Sequence, residues 1–250
     1  MKRGYTHIGI VLDRSGSMSS CKSDTIGGFN QFLSDQRDVD GEATLTFIQF
    51  DDHYDILNDM SPLADVENLD DNRYSPRGST ALLDAIGRTL NSTEHQLSEM
   101  AEDDKPERVI FVVITDGEEN ASREFTRDQI MEMINNKREE NTWEFIFIGA
   151  NQDAIQAGGS IGVRAASSMS YDQSQLGTQH MYASLSSGMT SYRSASVEDL
   201  DSLAFFTEDD RNKQDNLIDK DKPKKTKASK SRKKKDVDNL YRLDTNNLSI

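Results

Sequence analysis

Ile8-Gly9-Ile10-Val11-Leu12-Asp13-Arg14-Ser15-Gly16-Ser17 is the stretch whose reading decides the fold. Its first half is an apolar run without alternation, the pattern of a central strand covered on both faces. Its second half turns small and polar, so the chain leaves the sheet there. Asp13, Ser15 and Ser17 thus stand at alternate positions at a strand's carboxyl end, where open parallel sheets bind ligands. The donors on offer are oxygens only. Such a set suits a hard cation, Mg²⁺, Mn²⁺ or Ca²⁺.

Three residues do not hold a metal alone, and two later segments offer partners. Val109-Ile110-Phe111-Val112-Val113-Ile114 is a second near-continuous apolar strand that ends in Thr115-Asp116-Gly117. Asp116 therefore sits at another strand tip, with Gly117 permitting a tight turn. Between them, Arg77-Gly78-Ser79-Thr80-Ala81-Leu82-Leu83 is a glycine-containing loop that opens a helix, with Thr80 near its start.

With these three blocks the chain resembles the von Willebrand factor A (vWA) family and its metal-ion-dependent adhesion site. The family's Asp-x-Ser-x-Ser motif falls on Asp13, Ser15 and Ser17, its isolated threonine on Thr80, and its distal aspartate on Asp116. The first motif is a weak pattern by itself. Three blocks in order, each after the right kind of element, are specific. The resemblance covers roughly residues 5 to 190. Phe147-Ile148-Gly149-Ala150-Asn151-Gln152-Asp153-Ala154 is also similar to stand-alone cytosolic members from bacteria and their phages.

The resemblance implies Ser15, Ser17 and Thr80 as direct ligands, with Asp13 and Asp116 acting directly or through water. Octahedral Mg²⁺ takes six oxygens and readily keeps waters. Three hydroxyls and few carboxylates leave the ion with an open position and uncompensated charge. A partner's Asp or Glu then completes the shell. The implied function is metal-dependent protein binding without catalysis. A Mg²⁺-dependent phosphohydrolase on a similar sheet would need a second aspartate as general acid where Ser15 stands. It would also need a phosphate-binding lysine and a late pair of acids, for which no convincing equivalents exist. The remaining alternative is an assembly protein acting through its basic tail.

Composition bounds the setting. The 250 residues carry a net charge of −15, from 29 basic and 44 acidic side chains. Residues 222 to 235 hold nine of the basic residues and no acid, so the rest carries 20 against 44, net −24. A body this acidic repels nucleic acid, whereas the tail could attract it or any acidic surface. One cysteine, Cys21, excludes an intrachain disulfide and fits a reducing compartment, the cytoplasm. No apolar stretch approaches a membrane span, and the early apolar run is too short for a signal peptide.

Periodicity predicts strands at Tyr5–Leu12, Ala43–Phe50, Tyr54–Met60 (an antiparallel edge), Val109–Ile114, Trp143–Ile148 and Val163–Ala166. Helices are expected over 23–37 (capped by Ser23 or Asp24), 80–97, 126–137 (capped by Thr126), 153–158 and 173–189. This alternation implies an α/β, doubly wound, mainly parallel central sheet with one antiparallel edge strand and helices on both faces, a vWA/Rossmann-like fold. The domain is expected over residues 1–190, followed by a disordered tail over 191–250 with the basic segment 222–235. Gly27-Gly28 suggests close packing against the sheet. Glu118 and Glu119 read as solvated loop residues, and His53, beside Asp51 and Asp52, as part of a hairpin turn.

Overall fold

The apolar runs form a sheet of six strands in the order β3-β2-β1-β4-β5-β6. They are β1 Lys2–Asp13, β2 Glu42–Phe50, β3 Tyr54–Pro62, β4 Pro106–Thr115, β5 Trp143–Ala150 and β6 Ser168–Tyr171. Only β3 is antiparallel, paired to β2 through a tight turn. The helices are α1 Lys22–Arg37, α2 Leu82–Glu99, α3 Arg127–Glu140, α4 Ala154–Gly159, α5 Gln175–Ser194 and α6 Glu208–Asp221. This computed structural model describes residues 1–140, 143–150, 153–196, 199–200 and 203–221.

The two-residue period of a strand explains the two core layers. Ile8, Ile10 and Leu12 of β1 enter one layer with Phe29 and Phe32 of α1 and Met181 and Leu185 of α5. Val11 enters the other with Ile86 and Leu90 of α2 and Ile130 and Ile134 of α3. β1 lies between β2 and β4, parallel to both. Burial on both faces is what its unbroken apolar run encodes. The carboxyl ends of β1 and β4 therefore meet at the middle of one sheet edge.

Three local expectations are corrected. The last strand is Ser168–Tyr171, not Val163–Ala166. Val163 is buried in the second core layer outside the sheet, and residues 165–167 form a 3₁₀ turn. Helix α1 has neither Ser23 nor Asp24 as cap. It grows out of a 3₁₀ segment over Gly16–Cys21, so Cys21 sits at the cap position without a side-chain capping bond. Gly28 does mark a close approach, but to α5: a Cβ there would lie 2.1 Å from the Tyr182 ring. Thr126 behaves as expected, since its backbone N–H donates to Gln129 Oε1 and its hydroxyl accepts from Gln129 N. That is a reciprocal capping box.

The chain also continues to pack beyond the expected boundary at 190. Helix α5 runs to Ser194, and Arg193 is buried, bonded to the carbonyl of Gln36. Phe205 and Phe206 are fully covered and join the first core layer. Gln214 of α6 donates to Gly177 O at 2.9 Å and accepts from Asp172 N at 3.1 Å. Two aromatics anchor an otherwise polar segment, which is why composition alone reads it as tail. The basic segment 222–235 lies outside the described residues. Among the described residues, no helix is long and apolar enough to cross a membrane.

Candidate metal centre

Strand β1 ends at Asp13, and the turn after it folds back so that Ser15 N donates to Asp13 Oδ1 at 2.6 Å. Ser15 Oγ and Ser17 Oγ are 3.0 Å apart, and Ser17 Oγ donates to Asp116 Oδ1 at 2.7 Å. Asp116 follows the last residue of β4, so the two strand tips present their oxygens to each other. Thr80 reaches the same place from the loop before α2. A Cβ built on Gly117 would lie 3.0 Å from Thr80 Oγ1. All five residues singled out in the sequence thus gather at one edge of the sheet. Asp13, Ser15, Thr80 and Asp116 are buried, and Ser17 and Gly16 open the site to solvent.

Asp13 carries the electrostatic signature of this arrangement. Burial pushes its carboxyl pKa up to about 6, and the nearby Asp116 adds to the rise. Hydrogen bonds from the Thr115 hydroxyl, at 2.6 Å, and from Ser15 pull the other way without cancelling it. Among the described residues, no lysine or arginine bonds to Asp13 or Asp116. Two carboxylates and three hydroxyls with no protein cation among them form a donor set that fits a hard divalent ion.

An outer layer holds these groups, and most of it was not singled out in the sequence. Tyr74, fully buried, donates its hydroxyl to Asp13 O at 2.8 Å. Gln173, in the loop before α5, donates to Asp116 Oδ2 at 2.5 Å. The backbone of Thr80 is clamped by the loop after β4: Thr80 N donates to Asn120 Oδ1, while Asn120 N and Ala121 N donate to Thr80 O. Glu119 is no free loop residue. It accepts from Leu83 N, Ala121 N and Ser122 N, tying the start of α2 to that loop. Asp84 completes the tie by accepting from the N–H groups of Arg123, Glu124 and Phe125. Glu118 is exposed, as expected.

Gly78 is required by its backbone, with φ +68. Its carbonyl accepts from Gly16 N at 3.2 Å, so it joins the Thr80 loop to the first motif. Beside it, Asp51 accepts from Arg14 Nε at 3.0 Å and Arg77 Nε at 2.9 Å. Burial would raise the Asp51 pKa, but the bond from Arg77, the His53 N–H and the two guanidinium charges hold it below the usual value. Asp51, Asp52 and His53 offer potential ligand atoms within 4.8 Å of one another. Asp51 already answers two arginines there and accepts from His53 N at 2.6 Å, closing the turn between β2 and β3.

A sequence profile for the von Willebrand factor type A domain matches residues 7–183. The chain belongs to that family. A search of curated protein sequences returns no match. Solved structures similar to the chain include a von Willebrand factor type A protein from Catenulispora acidiphila, at 10% identity and TM-score 0.49, covering 74% of this chain and 42% of that one. Another is proximal thread matrix protein 1 from the mussel byssus with a zinc-occupied MIDAS motif, at 18% identity and TM-score 0.45, covering 67% and 41%. A manganese-loaded TRAP protein from Plasmodium vivax shares 18% identity at TM-score 0.41, covering 60% and 58%. The chain spans less than two thirds of the length of each of these structures.

Proposed function

We propose that this chain is a metal-dependent protein-binding module. Asp13, Ser15, Ser17, Thr80 and Asp116 would hold one divalent cation, of the Mg²⁺ type, with Mn²⁺ or Ca²⁺ as substitutes. The ion would supply an electrophilic position for an Asp or Glu carboxylate of a partner protein. One observation carries the reading: the five oxygen-bearing residues of the family motif converge on a spot where Asp13 is buried and, among the described residues, bonds to no basic side chain. The three hydroxyls matter because they bring no charge, which leaves the ion short of anionic ligands and hungry for one more.

Catalysis gains no support from the site. The position two residues after Asp13 is Ser15, whose hydroxyl is bonded to Ser17 and is no general acid. The single cysteine, buried, fits a reducing compartment such as the cytoplasm.

Titration calorimetry with Mn²⁺ and Mg²⁺ tests the metal assignment. Asp13→Ala and Thr80→Ala should each weaken binding by more than about tenfold, because even outer-shell partners of a metal cost that much. Circular dichroism should show the fold retained. Unchanged affinity in both variants would overturn the assignment. Affinity capture with Mg²⁺ against chelator then tests the partner claim: a protein retained only with metal supports it, and identical capture in both contradicts it.

A further inference from the structure

Helix α6 has a direction that bears on the metal centre. Its first turns sit at the amino end of β6, where Arg211 Nη2 donates to the carbonyls of Ala165 and Ala166 at 2.9 Å. One turn later Gln214 bonds to Asp172 and Gly177, beyond the carboxyl end of β6. The helix therefore climbs along β6 toward the edge that carries the metal centre. Asp172 adjoins Gln173, the residue bonded to Asp116. The seven residues from Asp215 to Asp221 carry the chain about 10 Å further in that direction. Helix α6 therefore ends beyond the same sheet edge that carries the metal centre.

The segment after Asp221 has a suggestive order of chemistry. Residues 222–235 carry nine positive charges and no negative one. Immediately after come Asp236-Val237-Asp238-Asn239-Leu240-Tyr241-Arg242-Leu243-Asp244, acids followed by large apolar side chains. Around the centre Asp52, Glu118 and Asp153 are exposed, with Arg77 the exposed base among them. Next to Gly117 and Glu118 opens a groove of about 330 Å³, with the buried Leu82, Leu83 and Phe147 in its lining and the exposed Glu118, Arg127 and Asp153 around them. A 14-residue spacer spans up to about 45 Å, so reach is no obstacle. Leu240 and Tyr241 stand two and three residues after Asp238, a separation of about 7–10 Å when extended, enough to pass from the centre into the adjoining groove.

We propose that residues 236–244 of this same chain are a ligand for its own metal centre. Asp238 gives its carboxylate to the ion, Leu240 and Tyr241 enter the groove beside Glu118, and the basic segment lies against the exposed acids around the centre. The proposal rests on the metal reading given above. A short tether gives an effective concentration near millimolar, so a carboxylate contact too weak to capture a free peptide is populated within the chain. The segment is then an occupant that an external partner must displace.

Paramagnetic broadening in the full-length, ¹⁵N-labelled chain tests this. Mn²⁺ should broaden the amide signals of Gly16 and Gly117 and also those of residues 236–241, whereas Mg²⁺ should broaden none. Asp236→Asn combined with Asp238→Asn should restore the 236–241 signals and leave Gly16 and Gly117 broadened. The same double variant should bind a synthetic peptide of residues 236–244 at least tenfold more tightly than the parent, because its own copy no longer competes. Sharp tail signals beside broadened Gly16 and Gly117 overturn the inference and leave the metal reading standing. No broadening at Gly16 and Gly117 overturns the metal reading itself. Tail broadening that survives Thr80→Ala means Mn²⁺ sits on the tail acids alone, and broadening that fades on dilution means a second copy is the acceptor; either result overturns docking within one chain.

Discussion

The two ends of the parallel sheet handle charge in opposite ways. At the amino end, Glu144 of β5 is met by the Arg164 guanidinium and the Ser167 hydroxyl. Arg108 of β4 spends its guanidinium on the carbonyls of Tyr192 and Ala195. Charge there is paired within the protein. At the carboxyl end Asp51 is likewise paired, with Arg14 and Arg77, but Asp13 and Asp116 face each other with only hydroxyls, amides and Gln173 as company. Both ends are buried, so the difference is not one of exposure. A self-neutralised cluster holds the fold together, whereas an anionic one is complete only with something added. That contrast is the physical argument, independent of any relative, for proposing that one cluster is structural and the other binds a ligand.

The comparison predicts substitutions of opposite sign. Glu144→Ala should lower stability by about 2–3 kcal/mol, because it leaves Arg164 partly buried without its carboxylate. The Arg164 side chain keeps 26% of its exposure, which holds the cost below that of a fully buried pair. Asp13→Asn should instead raise the stability of the metal-free protein, by about 1–2 kcal/mol. The charge that burial opposes disappears, and the amide can still accept from Ser15 N and donate to the Thr115 hydroxyl. Urea unfolding in chelator measures both. With Mg²⁺ in excess the order of parent and Asp13→Asn should reverse, since only the parent gains from the ion. A stabilised Glu144→Ala, or an Asp13→Asn destabilised in chelator, would break the contrast.

How much of this was legible in the sequence tracks the same division. Strand tips were legible because an apolar run that stops at Asp13 or at Thr115-Asp116 marks both the strand and the place where oxygen donors emerge. Thr80 was legible only as a member of the motif. What fixes its place, Asn120 and Glu119 reaching across some 40 positions, depends on how loops close and leaves no local pattern. Gly28 announced a close approach but not its partner, Tyr182 of α5. The edge strand Ser168–Tyr171 is four residues long with two serines, too short and polar to stand out from Val163 nearby. Helix α6 looks like tail because polar residues hold it, Asp210, Arg211 and Gln214, with the apolar anchor, Phe205 and Phe206, lying just before it.

The smallest effect is the most discriminating, because two groups six residues apart on β1 titrate against each other. His7 is fully buried in the middle of the strand, with Nδ1 3.0 Å from Thr44 Oγ1, and burial lowers its pKa from 6.5 to about 4. Between those values the unfolded chain holds a proton that the folded chain refuses, so stability is lost as pH falls from about 6.5 toward 4. Asp13 is the reverse. Its folded pKa of about 6 lies above the ordinary 3.8, so the folded chain holds the extra proton and stability is lost as pH rises from about 4 to 6. Each group alone gives a slope of up to about 1.4 kcal/mol per pH unit. Six residues of strand separate them by about 20 Å, so they act independently. In the metal-free parent the two nearly cancel, leaving less than about 1 kcal/mol from this pair between pH 4 and 6. Carboxylates held low elsewhere, such as Asp51, contribute equally to parent and variants and drop out of the difference. Asp13→Asn should therefore steepen the loss of stability on acidification relative to the parent, and His7→Gln should flatten or invert it. Urea unfolding of the three proteins in chelator at pH 4, 5 and 6 reads the slopes. Parallel curves for all three would mean that neither group is shifted as its burial requires, and the two ends of the sheet would differ in geometry but not in charge.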